Sequence, residues 1–128
     1  MSNRKIIENF ESHALVGEFH HADHVRVAFA YLSEYAPLQA LEKFCRALKQ
    51  YAASHGKPQR YHETITHAYF FLIRERMACG GSRNWDEFAR LNADLLVWKE
   101  GILTRYYSDS RLKSDLARTV FLFPDRCL

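Results

Sequence analysis

Apolar residues recur every three or four positions along most of this chain, and this spacing limits the fold more than any other feature of the sequence. Residues three or four apart lie on one face of an α-helix, so the pattern predicts amphipathic helices. Pro37 suits the first turn of a helix, and Gly56 with Pro58 supplies a stop. Together these signals predict three long helices, at about 19–35, 37–52 and 60–78.

The next part of the chain predicts a fourth helix. Asn84 precedes Glu87 at the spacing of a capping box, so the helix is expected to begin there. We expect a break or a kink near Gly101, because glycine weakens a helix. The apolar stripe of this fourth helix consists of Phe88, Leu91, Leu95 and Trp98.

The two ends of the chain are expected to be less regular. The first segment, of roughly eighteen residues, predicts a short helical turn and a loop. Ser110 is a candidate cap for a last short helix through Leu116 and Thr119. The apolar tail from Val120 to Phe123 is expected to be extended and to pack over the helices, since a free tail of this kind would promote aggregation.

The predicted fold is all-α. Four amphipathic helices with short connections indicate a four-helix bundle of up-down-up-down topology, with a short C-terminal helix and an extended tail. No convincing pair of strands competes with this prediction. With 128 residues, the chain is long enough for one hydrophobic core and too short for two, so 1–128 is expected to be a single helical domain.

Charge and cysteine content argue against several classes of protein. Basic and acidic residues are interleaved and the net charge is only +3, so we expect no nucleic-acid partner. Apolar runs fall far short of the about 18 residues of a membrane span, so no membrane association is expected.

An exposed apolar face on the fourth helix or the tail would indicate a homodimer. A reducing cytoplasm fits the three widely spaced cysteines, Cys45, Cys79 and Cys127.

Histidines are concentrated at two places in the sequence. Five of the seven lie within 20–24 and 62–67, at the starts of the first and third long helices. Extending the apolar stripe of each helix backwards directs His21, His24 and His62 toward the interior. In an up-down-up-down bundle the first and third helices run parallel, so the three imidazoles would meet at one end.

Three neutral imidazoles with an open coordination position are typical of a catalytic zinc or ferrous site. We therefore interpret the three inward histidines as ligands of a divalent transition metal, zinc or iron. Glu18 or Glu63 could supply a fourth ligand or orient a ligand imidazole. Thr66, His20 and His67 are further candidates for either role. In the alternative interpretation, which stays open here, the histidines cap helices or are half-buried beside backbone groups.

Four segments also carry a family resemblance. They are Phe-His-His-x-x-His-x-Arg from Phe19, Tyr-His-x-Thr-x-Thr from Tyr61, Arg-Tyr-Tyr-Ser from Arg105 and Pro-Asp from Pro124. Over most of the chain this pattern resembles a group of small bacterial proteins of unknown function, which implies the fold and the matched positions but no reaction. More distantly, the arrangement resembles the three-histidine metal sites of DinB-type four-helix bundles, some of which serve thiol-dependent transferases and hydrolases.

Two functions of different classes are consistent with the sequence. The first is a cytoplasmic helical bundle that holds a divalent metal through His21, His24 and His62 and leaves a position open for small-molecule chemistry. The second is a metal-free helical module that binds a small molecule or a protein partner through its aromatic C-terminal surface. Catalytic residues are not predicted in either case.

Overall fold

The structure, a computed structural model, describes residues 2–13, 19–81 and 84–126, and all regular secondary structure in these ranges is helical. Each helix there is too short or too polar to form a membrane span. The predicted all-α class is confirmed. The described α-helices, α1 to α7 in chain order, are Asn3–Glu11, His21–Glu34, Pro37–Ser54, Glu63–Gly80, Trp85–Leu91, Asp109–Leu112 and Asp115–Thr119. Short 3-10 turns lie at Pro58–Arg60, Ala93–Leu96 and Ile102–Arg105.

The three long helices, α2, α3 and α4, occur where the apolar spacing predicts them, and local signals explain their ends. Pro37 occupies the first turn of α3, where its missing N–H costs no helical hydrogen bond. Gly81 adopts a left-handed φ of 66° and ends α4, a conformation that a side chain would disfavour. The start of α4 is capped by His62, which accepts a hydrogen bond from the backbone N–H of Ile65.

The central element of the fold is α2, which contacts α1, α3, α4 and the 93–96 turn. Its residues 27–31 are all buried, so neighbouring elements cover this part of the helix on every side. Polar contacts also join it to α1. The Tyr31 hydroxyl donates to the Glu11 carboxylate at 2.6 Å, Arg26 donates to the side-chain oxygen of Asn3 at 2.8 Å, and Arg4 forms an ion pair with Glu34 at 3.5 Å. A helix enclosed in this way fixes the position of its own first turn, which carries the first histidine cluster.

The prediction of a long fourth helix is wrong beyond Leu91. As expected, the side chain of Asn84 caps α5 by accepting from the backbone N–H of Glu87 at 2.9 Å. However, α5 ends after seven residues, and a 3-10 turn replaces the rest of the expected helix. A four-helix bundle of up-down-up-down topology is therefore not confirmed.

Asn92 explains why α5 ends. Its side-chain amide donates to the carbonyl of Phe88 at 3.0 Å and accepts from Arg76 at 2.9 Å, while its backbone leaves the helical region. A short polar side chain that bonds to nearby backbone competes with helix formation. The chain therefore continues as the 93–96 turn, which places Leu95 fully in the core.

Both chain ends differ from the predictions. α1 is nine residues long and buries Ile7 and Phe10, so it is more than the expected turn and loop. The single last helix capped by Ser110 is also a wrong prediction. Ser108 and Ser114 instead cap two short helices, α6 and α7, because each serine hydroxyl accepts from a backbone N–H three residues later.

Several large apolar side chains remain exposed on the 91–98 segment and on the tail. The most exposed of them, Phe123, keeps 76% of its surface accessible. A homodimer, which the sequence associates with such a face, stays a prediction. These exposed side chains include Leu91, Val97, Trp98, Val120 and Phe123.

The C-terminal segment is attached to α4 through one buried hydroxyl. Thr64 is fully buried, and its Oγ1 donates to the carbonyl of Val120 at 2.8 Å. The same oxygen accepts from the backbone N–H of Leu122 at 3.1 Å. A second hydroxyl, from Tyr107, donates to the Leu122 carbonyl at 2.7 Å. The backbone of the tail is thus held against the helices by these side chains, whereas the side chains of Val120 and Phe123 stay exposed.

The Thr64→Val variant is expected to lower the free energy of unfolding by about 1–3 kcal/mol. Valine keeps the volume of threonine but leaves the Val120 carbonyl and the Leu122 N–H without their partner. Urea denaturation followed by circular dichroism measures the change. Thr66→Val is the matched control, because the Thr66 hydroxyl makes no hydrogen bond within the described residues, and its expected effect is within about 0.5 kcal/mol. Equal stabilities for the two variants would contradict the role of Thr64.

Candidate functional site

A cavity of about 700 Å³ lies where the N-terminal halves of α2 and α4 meet the C-terminal half of α3. Both α2 and α4 therefore begin at this end of the molecule, as a shared histidine site requires. Buried apolar side chains from all three helices form part of its wall, among them Val25, Phe44 and Phe70. Five further aromatic residues line it: Phe19, Tyr51, Tyr61, Tyr69 and Trp98.

The structure brings four of the predicted site residues to the wall of this one cavity: His21, His24, His62 and Thr66. The first two lie one turn apart at the start of α2, and the others lie at the start of α4. Their hydrogen bonds differ, and these bonds decide which imidazoles are available to a ligand or a metal.

The His21 imidazole is fixed by the backbone of the 93–96 turn. Its Nε2–H donates to the carbonyl oxygen of Leu95 at 2.8 Å, and its ring centroid lies 4.6 Å from that of Tyr69 and 5.2 Å from that of Trp98. Because a carbonyl oxygen only accepts, Nε2 carries the proton and Nδ1 keeps its lone pair. Burial lowers the pKa of His21, although the hydrogen bond to Leu95 opposes this effect.

His24 is the one inward histidine whose ring nitrogens have no hydrogen-bond partner among the described residues. Its ring packs against Phe19, with 4.3 Å between the centroids. Burial, together with the charge of nearby His21, lowers the pKa of His24 to about 4. The imidazole is therefore uncharged at neutral pH, and it presents one N–H donor and one lone pair at the cavity wall.

His62 already uses both of its ring nitrogens. Nδ1 accepts from the backbone N–H of Ile65 at 3.1 Å, and Nε2–H donates to the carbonyl of Leu112 at 2.7 Å. The first bond caps α4, and the second holds α6 beside the start of that helix. Burial lowers the pKa of His62, and the bond to Leu112 works in the opposite direction. This ring has a structural role in the observed arrangement.

Glu63 and His67 lie on the flank of α4 and do not line the cavity. The Glu63 carboxylate accepts from the Tyr61 hydroxyl at 2.6 Å. His67 donates through Nδ1 to the Glu63 carbonyl at 2.9 Å, and its ring lies 5.9 Å from the ring of Phe121 on the C-terminal segment. Neither side chain approaches the three inward imidazoles closely enough to form a metal site with them.

Within the described residues, no group of three or more His, Cys, Asp or Glu side chains is placed to hold a metal ion. His20 is exposed and does not line the cavity, and the candidate ligand Glu18 lies outside the described residues. Of the three predicted ligands, His21 and His24 each keep a ring nitrogen without a partner. His62 would have to release Ile65 or Leu112 to join them. The three-histidine metal site thus stays a prediction.

The cavity wall also contains three cationic residues that were not predicted for the site from the sequence: Lys57, Arg60 and Arg118. The first two belong to the connection between α3 and α4, and the third belongs to α7. No Asp or Glu accompanies them on the part of the wall that the structure describes. The position of Lys57 and Arg60 directly before His62 could have indicated two of these residues. The third depends on how α7 packs against α4.

Comparisons with known proteins assign no family to this chain. No protein-family model, curated protein or solved structure matches the chain. The resemblances to small bacterial proteins of unknown function and to DinB-type bundles therefore stay predictions.

Stability is expected to fall as the pH is lowered from about 6.5 to about 4, because the folded pKa of His24 lies below its ordinary value of 6.5. In this window the unfolded chain binds a proton at His24 that the folded chain does not bind. The lowered pKa values of His21 and His62 act in the same direction. The His24→Leu variant should therefore have a shallower dependence, by up to about 1.4 kcal/mol per pH unit.

Urea denaturation of metal-free protein at a series of pH values, in the presence of a chelator, measures this dependence. Circular dichroism at neutral pH confirms that the variant is folded before the two slopes are compared. Identical slopes for the wild type and His24→Leu would contradict the buried, neutral state of this imidazole.

Proposed function

We propose that this protein binds a small organic molecule in the cavity between α2, α3 and α4. The observation that carries the proposal is the cavity itself, which has room for a ligand and presents on its wall the imidazole of His24, whose ring nitrogens have no hydrogen-bond partner among the described residues. A volume of about 700 Å³ is within the range of small-molecule sites, about 300–1,000 Å³. Such sites are mostly apolar and contain a few polar groups that orient the ligand.

The lining of the cavity supports this proposal. Aromatic rings such as Phe44, Phe70 and Tyr51 offer flat apolar surfaces to the body of a ligand. His24 supplies a donor and an acceptor that no described residue satisfies. A ligand with a hydroxyl, carbonyl or amide group can therefore pair with His24 and be oriented by it. Thr66 adds a hydroxyl to the same wall.

The neutral fluorophore N-phenyl-1-naphthylamine is expected to bind in the cavity, with an increase in its fluorescence. Ala52→Trp should weaken this binding about tenfold or more, because Ala52 lines the cavity and a large ring there would occupy it. Ala53→Trp is the matched control, since it places the same side chain one residue along α3 at an exposed position outside the cavity. Absence of binding to the wild type, or equal affinities for the two variants, would refute the proposal.

A second candidate function is the binding of a divalent transition metal by His21 and His24. The observation that favours it is that both residues, one turn apart, line the same cavity and each keeps a ring nitrogen without a partner. Two imidazoles leave most of the coordination sphere open to water or to a bound small molecule. A zinc or ferrous ion there would polarise an oxygen of that molecule. His62 would join only after exchanging one of its two hydrogen bonds.

Equilibrium dialysis against cobalt(II), with protein purified without a histidine tag, tests this second candidate, because it measures bound metal whatever the coordination geometry. Under this hypothesis one equivalent binds, and His21→Ala and His24→Ala each abolish the binding while leaving the helical circular dichroism intact. Loss of binding in a folded His62→Ala variant would further establish the three-histidine site. A wild type that binds no cobalt, or binding that survives both α2 substitutions, would eliminate the metal hypothesis.

A further inference from the structure

We infer that the ligand of this cavity is an organic anion, with its apolar body inside the cavity and its acidic head group at the cationic residues Lys57, Arg60 and Arg118. This inference rests on the proposed function, because it names the class of ligand that the same cavity takes. It follows from two properties of the lining: the sign of the charges that reach it, and the absence of acidic partners for them among the described residues.

The charged groups of the wall all have one sign. Lys57, Arg60 and Arg118 line the cavity, and no described Asp or Glu does. All three are exposed, so their charged groups stay in contact with water at the outer part of the site. Elsewhere on the chain basic and acidic residues alternate, and the net charge is only +3. The mouth of the cavity therefore departs from the average surface and attracts anions.

These cations are largely uncompensated. The side chains of Lys57 and Arg60 have no hydrogen-bond or ion-pair partner within the part of the chain that the structure describes. Arg118 uses one nitrogen to donate to the carbonyl of Gln59 at 2.6 Å and keeps its other donors. The acidic residue nearest in sequence to Lys57 and Arg60 is Glu63, and its carboxylate accepts from the Tyr61 hydroxyl.

The interior of the cavity sets the remaining chemistry of the ligand. Phe44, Phe70 and Ile73 are all buried and line the wall, so they favour an aliphatic or aromatic body. A guanidinium group matches the two oxygens of a carboxylate, and a lysine adds a point charge. A cationic ligand would be repelled at the mouth, and a neutral one would gain nothing from it. An amphipathic acid uses both parts of the site.

Displacement of bound N-phenyl-1-naphthylamine by two molecules with the same ten-carbon chain tests this inference. Decanoate carries a carboxylate, and 1-decanol carries an uncharged hydroxyl. At about pH 7.5 and low salt, decanoate should displace the fluorophore from the wild type at a concentration about tenfold lower than decanol does. Salt should reduce the difference, because the head group and its cations remain in contact with water.

The double variant Lys57→Gln/Arg60→Gln should bring the two displacement curves within about twofold of each other, once each curve is corrected for the variant's own measured affinity for the fluorophore. The matched control is Lys5→Gln/Arg74→Gln, which removes the same charge from exposed positions outside the cavity and should keep the preference for decanoate.

The outcomes separate this inference from the proposed function. If the fluorophore binds but decanol displaces it as well as decanoate does, or if the preference survives in Lys57→Gln/Arg60→Gln, the anionic ligand is refuted and the cavity remains a small-molecule site. If neither decanoate nor decanol displaces the fluorophore, the anionic ligand is likewise refuted and the cavity remains a small-molecule site. If the fluorophore itself does not bind, the proposed function fails, and this inference fails with it.

Discussion

The enclosure of α2 is the constraint on which the rest of this structure depends. Five consecutive residues of this helix, 27–31, are buried, so α1, α3, α4 and the 93–96 turn must each pack against it. Its N-terminal half also lines the cavity, through His21 and His24 and then through the buried Val25 and Ala28. A helix held from every side cannot rotate to move those residues away. Burial of the core is thus what fixes two imidazoles at the wall of the cavity.

The three inward histidines differ in how many of their ring nitrogens are used in hydrogen bonds within the protein. His62 caps α4 and bonds to Leu112, so its nitrogens stabilise the fold. His21 bonds to the 93–96 turn and keeps one lone pair. The ring nitrogens of His24 have no hydrogen-bond partner among the described residues, and burial keeps the imidazole uncharged at neutral pH. The number of histidines at the site therefore overstates the number available to a ligand or a metal.

The cavity combines two environments that come from different parts of the chain. Its apolar interior is built by the long helices, whose inward faces also form the core. Its cationic residues come from the connection before α4 and from α7, and α7 reaches the site because the C-terminal region packs along α4. The hydroxyl of Thr64 holds the segment that follows α7 in place. One of the three cationic residues at the cavity thus depends on a part of the chain that is distant in sequence.

The amino-acid sequence by itself determined the three long helices, the all-α class and the inward direction of His21, His24 and His62. These features follow from the spacing of residues three and four apart, which a linear sequence displays directly. The tertiary structure alone decided that Arg76 of α4 donates to Asn92 at the end of α5, that His62 is occupied by Leu112 fifty positions away, and that Arg118 lines the same cavity as Arg60. Such contacts join segments whose meeting depends on the packing of the whole chain, and no local pattern of residues records which segments meet.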